Sequence, residues 1–493
     1  MYHQSNNLPP LLNIGFDHLS YFPPEADWTT IGKVIGKSTT IHCFRFDHRN
    51  ISVGDTTDLF NGVAQNRHLE AIEIKAGPSI LCRLFDSLAQ YPANCHLSRF
   101  LIHCTNTKSS WDANEINSLT RYFSGFNTIE DLCVVGISCD NVWQQLIPAM
   151  QHHRVKRLDL TGSKLSYNAI TKLRLWFVDP TCTLKSLIFD NTEIAKGGFA
   201  DLADGLNKNT SVKELSLDNC GDITNNGLRA LWRAWKNNKS VLESISLGNN
   251  NVRDDVLVDL SSNLIGKRKL KCLMLNGAHI TIKGWQALAR HLQSPDSVLA
   301  NLVVGSISDD GAIELANSLA GNTALRELQL DRFDSSPVQN AFLRVLCNKS
   351  SIDDTYNSNH ALRRVRISGR RRLPLSVLSQ LDINRFYNHV DAARKKIIET
   401  HFDGDMVVTP FLEMNTEVLS HILAWLGKEK QQTDLSLLCN FLRCMPQVFC
   451  FLGNASNAPS ICWASSKKRK APLVAHEMKK VHQLLELMKR RCA

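Results

Sequence analysis

The side chains in this 493-residue chain best suited to chemistry are its 15 cysteines, and their spacing argues against a reactive or metal-binding role. No CxxC pair occurs. Cys439, Cys444 and Cys450 lie near one another, but their intervals match no zinc-binding pattern. The count is odd, and Cys43, Cys82, Cys133, Cys220 and Cys272 fall inside apolar patterns where a small thiol packs well. They read as reduced, buried or half-buried residues of a protein kept in a reducing compartment. His152-His153 closes a helical stripe and reads as a solvated helix end, not a ligand pair. Gly15, Gly32, Gly36 and Gly54 compose neither a dinucleotide fingerprint nor a phosphate loop. No Ser, His or Cys spacing argues a catalytic triad. The expectation is no catalytic, cofactor-binding or metal residue, no cofactor, and no enzyme activity.

What remains is the chemistry of a binding surface, and that depends on the elements that present it. Leu184-Lys-Ser-Leu187-Ile-Phe189, Val212-Lys-Glu-Leu215-Ser-Leu217 and Leu242-Glu-Ser-Ile245-Ser-Leu247 are three copies of one apolar-x-x-apolar-x-apolar hexad. Twelve such hexads start at Ile41, Leu69, Leu97, Ile129, Val155, Leu184, Val212, Leu242, Leu270, Leu299, Leu325 and Leu362. Their spacing stays within 26–32 residues, except for 37 before the last, where a polar insertion covers Ser335 to Asn359. A repeat at this period is the signature of a solenoid, and a chain of this length needs either several domains or growth in one dimension.

Each hexad predicts a short strand with alternate residues on opposite faces. Between hexads the apolar period becomes helical, as in Phe199, Leu202 and Leu206 or Trp285, Leu288 and Leu292. Glycines recur near the helix starts, among them Gly198, Gly227, Gly284 and Gly311, where a tight turn or close approach is needed. Strands sit about 4.8 Å apart and helices about 10 Å, so strands on one side and helices on the other force curvature. The expected fold is α/β: a horseshoe with parallel strands on the concave face, helices on the convex face and a helical C-terminal cap. The expected divisions are a lead-in at 1–39, in which prolines and glycines break any regular pattern, about twelve repeats over 40–372, a helical cap over 373–452 and a basic tail over 453–493.

Leu242-x-x-Ile245-x-Leu247-x-x-Asn250-x-Val252 resembles the ribonuclease-inhibitor type of leucine-rich repeat, and the resemblance covers roughly residues 40–370. It implies that Asn250 buries its side chain to satisfy turn backbone groups, with Cys220 fitting the same place. Ser163, Thr192 and Ala278 make the ladder degenerate. Repeats followed by a helical end piece are also similar to a family of uncharacterised leucine-rich-repeat proteins common in unicellular algae, a resemblance that implies no activity.

The charge of +10 is uneven. Residues 466–493 hold nine Lys/Arg against two Glu, and 361–372 hold six Arg and no acid. On the predicted concave face, Asp190, Glu214, Asp218, Glu327 and Asp331 form an acidic field, Met274 adds a soft contact, and Arg364 and Arg366 make the late end basic. This arrangement suits a protein partner, possibly a basic one. The function expected is a non-enzymatic interaction scaffold, monomeric by default, cytoplasmic or nuclear. Nothing signals specific nucleic-acid or membrane binding. Lys467-Lys468-Arg469-Lys470 fits a nuclear-import signal, and Val474, Met478, Val481, Leu485 and Met488 form an apolar seam on a basic helix.

Two alternatives rest on resemblance. Thr416-Glu417-Val418-Leu419-x-x-Ile422-Leu423-x-x-Leu426, followed by Asp434-Leu435-x-x-Leu438-Cys439, is similar to an F-box, which implies a ubiquitin-ligase substrate adaptor; the usual leading Leu-Pro is missing and the segment follows the repeats. The Ran GTPase-activating protein shares the repeat type, which implies a small-GTPase regulator, but its tail is acidic where this one is basic. Beyond the repeats, Leu381–Phe386 predicts one further strand and Val390–Thr400 a helix, with two more helices at Glu417–Leu426 and Leu435–Leu442.

Overall fold

The computed structural model describes residues 27–401, apart from 48–55, 92–95, 106–110, 126–127, 152–153, 221–222, 224, 237–240, 265–268, 278–279, 332, 334 and 368–371. The chain divides into two units, 1–291 with 301–306 and 292–300 with 307–493. Every hexad carries a strand, and each of these twelve begins at its hexad's third residue; two further short strands, Lys164–Leu165 and Glu193–Ile194, pair in parallel after their turns. In the first unit the hexad strands are Cys43–Asp47, Ala71–Ala76, Arg99–Cys104, Asp131–Val135, Arg157–Asp159, Ser186–Ile188, Glu214–Ser216, Ser244–Ser246, Cys272–Leu275 and Asn301–Val304. They pair in parallel and in chain order. The second unit holds Glu327–Leu330 and Arg364–Ile367, also parallel. The chain is a leucine-rich-repeat solenoid.

The hexad pattern explains the strands. First, fourth and sixth residues are buried, as Leu184, Leu187 and Phe189 or Leu242, Ile245 and Leu247 show; the third faces solvent or is half-covered, and the fifth ranges from half-covered to buried, as at Cys133, Asp159, Ile188 and Ser246. The helices bury the complementary stripes, such as Phe199, Leu202 and Leu206. No strand can bury both its edges alone, so each repeat depends on its neighbours.

Two turns per repeat carry the ladder that stacking requires. After each strand from Asp131–Val135 to Cys272–Leu275, the eighth residue counted from the hexad start is left-handed: Gly136, Gly162, Asn191, Asn219, Asn249 and Gly277. Glycine and asparagine are the residues that reach this conformation readily. At Thr192, Cys220 and Asn250 the ninth residue is buried and bonds the preceding repeat, whereas Ile137 holds the place with an apolar side chain and Ser163 Oγ is buried without a partner. Asn250 Nδ2 donates to Leu217 O (2.7 Å) and its Oδ1 accepts from Cys220 N (2.9 Å). Cys220 Sγ donates to Phe189 O and Thr192 Oγ1 to Leu160 O, both at 2.9 Å. The resemblance therefore predicts the role of Asn250 and Cys220, and the structure adds Thr192, which the sequence reading counts as a departure.

A second device closes the helix-to-strand turn. Asn66, Asn209, Asn322 and Asn359 each sit three residues before a hexad. Asn209 Nδ2 donates to Phe177 O, and its Oδ1 accepts from Ser211 N and Val212 N. Asn322 and Asn359 repeat this pattern in the second unit. Reading the hexads alone passes over these residues.

The structure corrects the reading at both ends of the repeats. Residues 1–39 are not without regular pattern, since Trp28–Lys37 is a helix capped by Asp27, whose Oδ1 accepts from Thr30 N at 3.0 Å. Gly32 and Gly36 are contact residues here, not breakers: a Cβ on Gly62, in the helix Thr56–Gln65, would overlap the carbonyl oxygen of Gly32. Leu381–Phe386 is not a strand. It completes a helix, Leu375–Phe386, in which Val377, Leu381 and Asn384 are buried at helical spacing and Asn384 Nδ2 bonds Asn359 O and Leu362 O. The polar insertion forms two helices, Ser336–Leu346 and Ile352–Tyr356. The helix expected at Val390–Thr400 is found at His389–His401. The two helices expected beyond it, the F-box-like segment and the basic tail with Lys467–Lys470 lie outside the described residues, as does His152-His153.

The His389–His401 helix buries Lys396 completely. Its Nζ donates to Leu346 O (2.5 Å) and Asn359 O (3.0 Å), and no carboxylate pairs with it among the described residues. Burial pushes this ammonium down to about 7, against a slight opposing pull from the Cys347 thiol. Nearby, burial pushes His360 down to about 3 and also lowers His389 and His401, with Lys396, Arg326 and Lys349 adding repulsion.

Gly62→Ala should lower stability by about 1–3 kcal/mol through overpacking against the Trp28–Lys37 helix, measurable as a shift in the urea midpoint. For Lys396, the unfolded chain keeps its proton to higher pH than the folded one, so stability rises as pH climbs from about 7 toward the ordinary lysine range. Lys396→Met should flatten that rise in thermal midpoints taken between pH 7 and 10. The buried histidines should still make both proteins less stable below about pH 6.5.

Candidate functional site

The solvent face of the first unit's sheet is built from the third and fifth residues of each hexad and the residue just after it. Its charges are largely spent on one another along the early strands. Arg45 Nε meets Glu73 Oε2 at 2.7 Å. Arg99 Nε meets Asp131 Oδ2 at 3.0 Å, and Arg157 bridges Asp131 and Asp159 at 3.4 Å each. Such half-exposed pairs add little stability, but they leave little net field.

The acids of the expected binding face have different fates. Asp190 Oδ1 accepts from Ser216 Oγ (2.6 Å) and Asp218 N (3.0 Å). Asp218 Oδ1 accepts from Ser246 Oγ (2.5 Å) and Gly248 N (2.6 Å). Both carboxylates are half-buried, and burial pushes the Asp190 carboxyl up despite these bonds. They are joints between successive repeats. Treating them as free outward acids misses this, although the sequence carried a signal: each Asp precedes a left-handed Asn and lies beside a Ser of the next strand. Glu214 differs. It is exposed and has no ion-pair partner among the described residues.

Next to Glu214 the face loses its charge. The register aligns Glu214, Ser244, Cys272 and Asn301 in one row, and Ser216, Ser246, Met274 and Val303 in the other. From Ser244 to Val303 these rows carry no formal charge, and Met274 and Val303 are half-exposed apolar side chains. Gly248 borders the platform without a side chain that could screen it. The arrangement offers a soft apolar centre with polar neighbours and one carboxylate at its edge.

The second unit carries the remaining residues of the expected site. Glu327 Oε1 meets Arg364 Nη1 at 2.7 Å and its Oε2 meets Arg366 Nη2 at 3.4 Å. The acid and the two bases expected to present opposite fields therefore compensate each other across paired strands. Asp331 is half-buried at the end of its strand.

Among the described residues no group of three His, Cys, Asp or Glu side chains is placed to hold a metal ion, and the nine described cysteines are free thiols. Burial raises Cys43, Cys82, Cys133 and Cys220, which disfavours the reactive thiolate. No described helix is long and apolar enough to cross a membrane.

No family model matches the chain. Over 178 residues it is 30% identical to the ribonuclease inhibitor of Mus musculus, covering 36% of this chain and 39% of that protein. The ribonuclease inhibitor of Sus scrofa is 28% identical over the same length and shares of each chain. NACHT, LRR and PYD domains-containing protein 5 of Bos taurus is 28% identical over 209 residues, covering 42% of this chain and 18% of that protein. The chain thus spans less than two fifths of the length of each of these relatives. Its repeats are leucine-rich repeats of the ribonuclease-inhibitor type.

The joints at Asp190 and Asp218 set an expected outcome. Asp218→Lys removes the acceptor of Ser246 Oγ and Gly248 N and should lower stability by about 1–3 kcal/mol, the cost of unsatisfied half-buried groups. Glu214→Lys should change it by no more than about 0.5 kcal/mol. Urea melts of the two variants, run side by side, make the comparison.

Proposed function

We propose that this protein is a non-enzymatic interaction scaffold, and that the sheet face running from Glu214 to Val303 receives a protein partner. The observation that carries the reading is the uncharged platform of Ser244, Cys272, Met274, Asn301 and Val303, bordered by Glu214, which has no ion-pair partner among the described residues, on a face where Asp131 and Asp159 are ion-paired and Asp190 and Asp218 are hydrogen-bonded between repeats. An apolar centre with a polar rim is how a protein interface concentrates its energy. Met274 adapts to the shape of an apolar side chain, and Glu214 selects a partner with a cation beside it. The partner is therefore mixed, apolar in the middle and basic at one edge. The ribonuclease inhibitors, by their name, act on an enzyme, and partner binding by stacked repeats is the use this fold supports. The protein works as a monomer in the cytoplasm or nucleus, with Lys467, Lys468, Arg469 and Lys470 as the import signal.

The test compares partner recovery in quantitative pull-downs from the native cell. Met274→Glu and Glu214→Lys should each weaken the main partner by about 2 kcal/mol, roughly a thirtyfold change in affinity. Lys172→Glu, on the exposed side of the helix Tyr167–Val178, should leave recovery unchanged. Equal recovery from all three variants would remove the sheet face from consideration.

A further inference from the structure

The one long interval between hexads, 37 residues from Leu325 to Leu362, belongs to the second unit and does more than lengthen a turn. Its extra residues, with the helix Leu375–Phe386, enclose an open cavity of about 460 Å³. That volume lies in the range of small-molecule sites. Stacking of the repeats requires no such space.

The cavity wall is cationic. Arg344, in the last turn of the helix Ser336–Leu346, and Lys349, just beyond it, both line the space. Both are exposed, and neither has an ion-pair partner among the described residues. Behind the wall, Lys396 Nζ donates to the carbonyl of Leu346, the residue before cavity-lining Cys347. Two exposed basic side chains, Arg344 and Lys349, thus face the space from one stretch of six residues, with no ion-pair partner among the described residues. A surface built only for solubility has no reason to gather them around a concavity.

The opposite wall is polar and incompletely satisfied. Ser376 and Gln380 line it from the helix Leu375–Phe386. Gln380 Oε1 is buried and accepts no hydrogen bond. An orphaned buried acceptor costs about 1–3 kcal/mol, and a ligand donor recovers it once the Gln380 side chain turns this oxygen into the cavity that it lines. The cations call for an anion and Gln380 calls for a hydroxyl. Arginine and lysine together are the usual holders of phosphate oxygens.

We propose that this cavity binds a small hydroxylated phosphate of the sugar-phosphate class. The phosphate sits against Arg344 and Lys349, and a ligand hydroxyl donates to Gln380 Oε1. The site is independent of the sheet face that receives the partner.

Titration calorimetry on the full chain tests this with glucose 6-phosphate, inorganic phosphate and glucose at matched ionic strength. The expected result is saturable binding of glucose 6-phosphate at least tenfold tighter than inorganic phosphate, with none for glucose. Arg344→Gln combined with Lys349→Gln should weaken glucose 6-phosphate at least tenfold, with the thermal midpoint unchanged because both residues are exposed. Gln380→Leu should leave inorganic phosphate as before and abolish the advantage of the sugar phosphate. Absence of saturable binding overturns the proposal. So does equal affinity for the two phosphates, or binding that survives the double substitution.

Discussion

Every repeat of this protein must turn its backbone twice inside a packed interior, and a buried amide or carbonyl left without a partner costs more than most side-chain contacts return. The ladders that answer this constraint hold the rest in place. Asn250, Cys220 and Thr192 serve the turn after the strand, and Asn66, Asn209, Asn322 and Asn359 serve the turn before it. Each reaches back one repeat. Burial of the hexad leucines supplies the driving force, but hydrocarbon contacts are not directional and would tolerate other registers. The hydrogen-bonded turns select one register, and with it the rows of side chains that the sheet presents.

That selection explains the electrostatics of the face. Side chains in one row are neighbours at strand spacing, so a charge placed there meets its counterpart or a repulsion. Arg99, Asp131, Arg157 and Asp159 are resolved by alternation, and Glu327 by two arginines. Asp190 and Asp218 are resolved by turning the carboxylate into a backbone acceptor. Where neither happens, at Glu214 and the uncharged rows beside it, the surface keeps interaction capacity unspent. Functional candidacy here is what remains after the internal accounts of the sheet are subtracted.

The sequence exposes the strands because the hexad is a strong, repeated, binary pattern, and the constant two-residue offset between hexad and strand shows how little else is needed to locate them. It exposes the Asn250 ladder through resemblance. It conceals what depends on partners distant along the chain. Gly32 reads as a breaker until Gly62 is placed against it, and Leu381–Phe386 reads as a strand because its alternation is too short to exclude a helix. Asp218 reads as a surface acid because its Asp-Asn pair becomes a signal only once Ser246 and Gly248, about thirty residues on, are placed beside it. The cavity beside Arg344 is formed by the helices Ser336–Leu346 and Leu375–Phe386 and by the link from Cys347 to Ser350, a convergence that no single stretch reveals.

The constancy of the offset has a consequence for how such a chain can vary in length. Along the strands, and at the turns where an asparagine or a ladder residue reaches back, the chain is tied to the neighbouring repeat, so one residue gained or lost there would put those bonds out of step. The helical side has no such tie. The intervals of 26 to 37 residues between hexads are accommodated there, by longer helices or by the one extra helix, Ile352–Tyr356. Novelty in this architecture therefore enters from the back. The laddered face is held to a fixed ruling like the lines of a page, and additions are written in the margin where the helices lie.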